Sequence, residues 1–217
     1  MIPPTNFKRY TFKTLGLLFI LALFVSANAM AVEKAKYQVL ESEVEFELRQ
    51  YEPSIVAETF VEGNFNEVGN EGFRRLLAYI SGKNVKKQSI SMTAPVTQEA
   101  SAEKIAMTAP VSQEKVGGSW RITFLIPSKY TLDTLPEPLD ERVVIKEIPG
   151  HLMAAIKYSG TWNRNRYEQK RALLTEWVQK QRWTAVGSAV WARYDPPFMP
   201  WFLRRNEVLI HVEQSSS

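Results

Sequence analysis

Two segments of the chain carry the same set of functional side chains twice. Ile90-Ser91-Met92-Thr93-Ala94-Pro95-Val96-Thr97-Gln98-Glu99 and Ile105-Ala106-Met107-Thr108-Ala109-Pro110-Val111-Ser112-Gln113-Glu114 agree at eight of ten positions. Strand alternation would send Ile, Met, Ala and Val to one face of each segment and Thr and Pro to the other. The stretch between them has the length of a hairpin loop. A proline cannot donate a ladder hydrogen bond, so Pro95 and Pro110 are expected at edges or bulges beside a cavity. Met92 and Met107 suit the filling of a core.

Elsewhere reactive groups are scarce. The chain has no cysteine, only two histidines (His151 and His211) and three aspartates. Disulfides, thiol catalysis and thiolate metal sites are thereby excluded. No Gly-x-Ser-x-Gly elbow, His-Glu-x-x-His pattern or phosphate loop occurs, so common hydrolytic and metal-dependent chemistries lack their residues. An acid–base site would have to use Glu207, with Tyr79 or Tyr194 as acid or orienting group. One segment is unusual in another way. Tyr194-Asp195-Pro196-Pro197-Phe198-Met199-Pro200-Trp201-Phe202 holds four apolar or aromatic side chains on a three-proline scaffold. Such a loop loses little entropy on binding and presents flat surfaces.

The N-terminus reads as an export signal over residues 1–31. Lys8, Arg9 and Lys13 precede an apolar run from Leu15 to Val25, too short to span a bilayer comfortably. Small residues at Ala27-Asn28-Ala29 and Ala29-Met30-Ala31 place cleavage after Ala29 or Ala31. The remainder, 32–217, is expected to be one domain of about 186 residues, exported to the periplasm of a bacterial cell, with no further membrane segment. Of 27 basic residues three precede residue 32 and all 23 acidic ones follow it, which leaves a net charge of +1. That balance gives no electrostatic case for nucleic acid.

Shifting the sequence by 97 residues aligns its two halves. Gly63-Asn64-Phe65-Asn66 falls on Gly160-Thr161-Trp162-Asn163, and Glu71, Arg74, Leu76 and Leu77 fall on Glu168, Arg171, Leu173 and Leu174. Each half reads as strand, strand, helix, strand, strand, over about 37–114 and 142–213. In the first helix Gly69, Phe73, Leu76, Leu77 and Ile80 form one stripe, with Asn64 or Asn66 as cap and Gly82 as stop. In the second the stripe is Tyr167, Leu174, Trp177 and Val178 behind an Asn163 cap. An added strand, Trp120 to Ile126, and a proline-rich connector, Leu132 to Leu139, separate the halves. The expected fold is α+β: duplicated ββαββ units forming a distorted antiparallel barrel or curved sheet flanked by two helices.

Phe46-Glu47-Leu48-Arg49-Gln50-Tyr51-Glu52-Pro53, Asn70-Glu71-Gly72-Phe73-Arg74-Arg75-Leu76 and both Met-Thr-Ala-Pro-Val segments, in this order, resemble the SOUL haem-binding protein family. Ile126-Pro127-Ser128-Lys129-Tyr130, Tyr194-Asp195-Pro196-Pro197 and Arg204-Arg205-Asn206-Glu207-Val208 extend the resemblance across nearly all of Tyr37 to Val212. It implies a fold similar to bacterial effector-binding and gyrase-inhibitor-like domains. It also implies binding of haem or another porphyrin as a ligand, in a slot between the first helix and the loop before the Arg-Arg-Asn-Glu-Val strand. Mapped onto this chain, Phe73 and Leu77 face Phe198, Met199 and Trp201, with Arg74 and Arg205 as propionate partners. Burying roughly 300 Å² of porphyrin face at ~25 cal/mol per Å² gains ~7 kcal/mol before association costs, enough for micromolar binding without an iron bond. Some animal members carry a histidine, proposed as an iron ligand, where this chain has Gln50; the resemblance therefore supplies no histidine ligand at that position, and Met199 is the loop's candidate thioether ligand. The expectation is a non-enzymatic carrier, buffer or scavenger. The alternatives are an enzyme using the same cleft, or an interaction or sensor module docking through the aromatic loop.

Overall fold

The computed structural model describes residues 32–86 and 102–215. The export-signal reading and the first Met-Thr-Ala-Pro-Val segment lie outside them. In chain order the elements are β1 (Tyr37–Glu43), β2 (Phe46–Tyr51), β3 (Ser54–Val61), α1 (Phe65–Ile80), β4 (Asn84–Val85), β5 (Val111–Val116) and β6 (Ser119–Leu125). They continue with β7 (Glu137–Pro138), β8 (Val144–Ile148), β9 (His151–Tyr158), α2 (Arg164–Lys180), β10 (Trp183–Arg193), a 3₁₀ turn (Trp201–Leu203) and β11 (Asn206–Gln214).

Nine strands make one antiparallel sheet in the order β1-β2-β9-β11-β10-β5-β6-β3-β8. β4 and β7 form a separate two-stranded ribbon. Among the described residues β1 and β8 are the edges, so of the two forms expected the sheet is open and curved, and no barrel closes.

The repeat is visible in the strand order. β3 and β9 correspond residue for residue at the 97-residue shift, and β2-β9-β11-β10 mirrors β8-β3-β6-β5 across the β10–β5 seam. The first strand of each half has crossed over: β2 pairs with β9, and β8 with β3. β6, which the sequence alone reads as an addition, is therefore the fourth strand of the first unit. The second Met-Thr-Ala-Pro-Val segment enters the sheet only at Val111. Before that, the Ile105 amide donates to Ile80 O at 2.8 Å, and Thr108 Oγ1 donates to Leu125 O.

Both helices lie on one face of the sheet, capped as their sequences dictate. Asn64 Oδ1 accepts from the Glu67 amide at 3.1 Å, and Asn163 Oδ1 from the Arg166 amide at 2.8 Å. Gly63 and Gly160, which lead into them, share a left-handed φ of 134° and 126°. α2 buries the expected Tyr167, Leu174, Trp177 and Val178. In α1 Leu76 is buried and Leu77 exposed, whereas α2 exposes Leu173 and buries Leu174. The buried stripe thus advances by one residue between the halves, a rotation of about 100°. Gly72 explains how close α1 comes: a Cβ there would stand 2.3 Å from Ile122 Cγ1 on β6.

Candidate functional site

Side-chain alternation gives the sheet two very different faces. On the face away from the helices, Tyr51, Met153, Ala155, Ala192 and Leu209 form an apolar cluster beside an open cleft of about 430 Å³. Pro110 lines this cleft, as its position beside a cavity led one to expect. His151 and His211 line it too, their rings 5.6 Å apart. Burial, and after it the neighbouring His151, hold His211 below the usual histidine range.

On this same face of the sheet runs a buried ionic network. Arg49, wholly enclosed, donates to both oxygens of the equally enclosed Glu207, at 2.7 and 3.1 Å. It also donates to Glu47 and to Tyr51 Oη, and lies 4.4 Å above the Tyr37 ring. Glu207 accepts further bonds from Tyr194 Oη at 2.7 Å and from Arg205 at 2.7 and 3.0 Å. Burial alone would raise the Glu207 carboxyl, but the hydrogen bonds and charges of Arg49 and Arg205 outweigh it and leave the pKa below the ordinary value. Burial, then the Glu207 charge, drives the Tyr194 hydroxyl far upward. A carboxylate held this tightly is ill suited to accept a proton, so the acid–base reading of Glu207 with Tyr194 finds no support in the geometry.

The helix side of the sheet carries the aromatic loop. Its backbone is tied down at both ends: Met199 N donates to Pro196 O, Gly160 N to Trp201 O, and Arg205 N to Asp195 Oδ2. Arg204 braces it from within, donating from Nε to Met199 O at 2.8 Å and from Nη2 to Pro197 O at 2.6 Å. The side chains it presents are unusually bare. Phe198 is 86% exposed, Trp201 56%, Phe202 58% and Leu203 62%. A contiguous apolar patch on a rigid support marks a contact surface.

Behind the loop, guanidinium and indole groups alternate inward. Arg204 lies 4.4 Å over the Trp162 ring, Arg193 lies 5.5 Å from that ring, and 4.9 Å from the Trp191 ring. Trp162 is fixed by donating Nε1–H to Asn206 Oδ1 at 2.8 Å. The stack reaches α1 at Gly69, where a Cβ would stand 3.2 Å from Arg193 Nη2.

The residues expected to form the slot fall into separate places. Phe73 is half-buried, its ring edge-on to Phe124 at 5.4 Å in the core between α1, β3 and β6. Leu77, 37% exposed, follows on the next turn. No ring contact joins Phe73 to Phe198 or Trp201 among the described residues. Arg74 lines a different groove, of about 750 Å³, with Arg75, Tyr79, Asp140 and Arg142. Arg205 turns to the opposite face, where Glu207 and Tyr37 Oη engage it. Phe198, Met199 and Trp201 stay together on the loop. It is Gly69, and with it Arg193 and Trp162, that brings α1 toward the loop.

Arg49 and Arg193 were missed by sequence reasoning. The alternation in Phe46–Tyr51 already put Glu47, Arg49 and Tyr51 on one face, but nothing local named Glu207, 158 residues away, as their partner. Arg193 carries no motif at all.

The comparisons agree with this architecture. Solved structures that are similar include the EcmrR C-terminal domain (TM-score 0.51, 11% identity, covering 82% of this chain and 98% of that one). A structure titled as a hydrolase from Listeria innocua also matches (TM-score 0.52, 11% identity, 80% of this chain and 94% of that one). At such identity these establish the fold alone. In sequence the chain is 30% identical to Heme-binding protein 1 of Xenopus laevis over 166 residues, covering 76% of this chain and 82% of the relative. The family described as SOUL heme-binding protein matches residues 32–211. With the match spanning nearly every described element, this chain belongs to the SOUL heme-binding protein family.

Proposed function

We propose that the protein is an exported carrier, buffer or scavenger of haem or a related tetrapyrrole, which it binds on the helix side of the sheet. The observation that carries this reading is the braced aromatic loop, whose Phe198 and Trp201 are bare while its backbone is pinned by Arg204 and Gly160. Family membership supplies the ligand class; the loop supplies a flat, preorganised apolar surface for it. Phe198, Met199 and Trp201 act as the contact residues.

Both histidines lie in the cleft on the opposite face, away from the loop. Binding at the loop therefore gains nothing from imidazole ligation, and Met199 is the loop's one thioether. The expected outcome of parallel titrations with hemin and metal-free protoporphyrin is micromolar affinity for both, within about threefold of each other. A hemin preference of a hundredfold or more would require an iron bond, and absence of any spectral change at tens of micromolar would reject the reading.

Export rests on the basic N-terminus, the apolar run and the small residues at Ala27 to Ala31. Among the described residues no helix is long and apolar enough to cross a membrane. Intact-mass measurement of the protein recovered from the exported fraction should give a chain beginning at Met30 or Val32; a full-length cytoplasmic product contradicts export. The 86% exposure of Phe198 equally favours a second reading, a protein docking on the loop. A stoichiometric partner released by a Phe198→Ala change, in a protein that binds no porphyrin, would establish it.

A further inference from the structure

Five side-chain polar atoms are sealed from water without any hydrogen-bond partner among the described residues, and four of them gather in one place. They are Tyr158 Oη, Trp191 Nε1, Arg193 Nε and Gln113 Oε1; the Trp191 N–H faces Tyr158 Oη without reaching hydrogen-bond geometry, so these two offset each other only in part. The strand registers bring them together: Arg193 pairs with Asn206, Asn206 with Tyr158, and Trp191 with Gln113. All four belong to the helix side, beneath Gly69 and behind Trp162. Orphaned buried polar atoms are costly one by one, about 1–3 kcal/mol each, so a cluster of them needs a reason.

The donor and acceptor count indicates what is missing. Trp191 Nε1 and every nitrogen of Arg193 can only donate; Tyr158 can do either; Gln113 Oε1 is the one pure acceptor, since its amide nitrogen is already bonded to Phe65 O. The cluster holds a surplus of donors and a positive charge, and no carboxylate among the described residues pairs with Arg193. Burial draws the Arg193 guanidinium down to about 10, still protonated at neutral pH. While Nε is sealed, neither terminal nitrogen makes a hydrogen bond among the described residues; both lie toward Gly69 of α1, and the residue keeps partial exposure, which leaves part of the guanidinium edge within reach of a ligand.

We infer that Arg193 is the receptor for a carboxylate of the bound ligand, seated between Trp162 and Trp191 with terminal nitrogens that no group among the described residues bonds. This rests on the tetrapyrrole reading and deepens it: the porphyrin plane lies on the Phe198–Trp201 loop and one acidic side arm reaches inward. A planar guanidinium fixed by flanking rings matches a carboxylate better than a mobile surface lysine does. It performs the task first expected of Arg74 and Arg205, one of which faces another groove and the other Glu207.

The test compares protoporphyrin IX with its dimethyl ester, which keeps the ring and removes both charges. The parent protein should bind the diacid at least tenfold more tightly than the diester. Arg193→Met should bind both at the diester's affinity, while Arg193→Lys should retain at least half of the preference on a logarithmic scale. Thermal melting of Arg193→Met is expected at or above that of the parent, because an unpaired buried cation is removed. An Arg193→Met protein that is folded and still prefers the diacid tenfold overturns the inference while leaving the tetrapyrrole reading intact, as does a parent protein indifferent to esterification. Failure of the parent to bind either porphyrin removes the tetrapyrrole reading and this inference with it.

Discussion

Replacing Arg49 by methionine should cost about 3–5 kcal/mol of folding stability, because it leaves the enclosed Glu207 carboxylate with one of its two cationic partners gone. The strength of the effect comes from enclosure. Both side chains of the pair are fully cut off from solvent, and each accepts or donates several bonds that water cannot replace. Removing both members is a gentler change than removing one. The double variant Arg49→Met with Glu207→Leu should recover at least half of the loss, since no enclosed charge remains and Arg205, partly exposed, can turn to water. Urea denaturation midpoints of the parent, both single variants and the double give this comparison directly. A single Arg49→Met variant within 1 kcal/mol of the parent would mean that the network carries little of the fold.

The same network sets the acid sensitivity. The Glu207 carboxyl titrates below its unfolded value in the folded protein, near 4.3 for a free glutamate. Its contribution is therefore complete above that unfolded value and is lost as pH falls through the lower folded one. The melting temperature of the parent should drop below about pH 4 more steeply than that of the double variant, which has no carboxylate there to protonate.

Truncating the loop should strike binding while sparing stability. Phe198→Ala and Trp201→Ala are each expected to weaken hemin about tenfold, or about 1.4 kcal/mol, from lost ring contact. Both rings are mostly exposed in the free protein, so the melting temperature should barely move. The double variant should lose about a hundredfold if the rings act independently. Met153→Ala, which alters the cleft on the opposite face, should leave hemin affinity unchanged. Loss of hemin binding through Met153→Ala, with Phe198→Ala and Trp201→Ala silent, would move the site to the cleft.

What could be read from the chain itself follows a physical divide. Features written in consecutive residues came through: the caps at Asn64 and Asn163, the buried stripe of α2, the strand pairs before each helix, the stiff proline-rich loop. The duplication was legible because β3 and β9 keep a common register with their helices. What stayed hidden depends on which distant strands become neighbours. Arg49 meets Glu207 because β2 crosses to β9, which also pairs with β11, and Arg193 meets Tyr158 by way of Asn206 because β11 lies between β10 and β9. Neither pairing leaves a local signal, since register between non-consecutive strands is fixed by packing of the whole sheet. The histidines illustrate the same point. Lying 60 residues apart and in no shared motif, they become neighbours only because β9 and β11 are adjacent.

Hemin is paramagnetic, so the amide and indole resonances it broadens in an isotope-labelled sample mark the face of the sheet on which it sits. With hemin below stoichiometric amounts, signals from Phe198 to Leu203 and the Trp162 indole should fade first, while those of His151, Met153 and His211 persist. Broadening that begins at those three residues, with the loop untouched, would put the porphyrin on the wrong side of the sheet for everything proposed above.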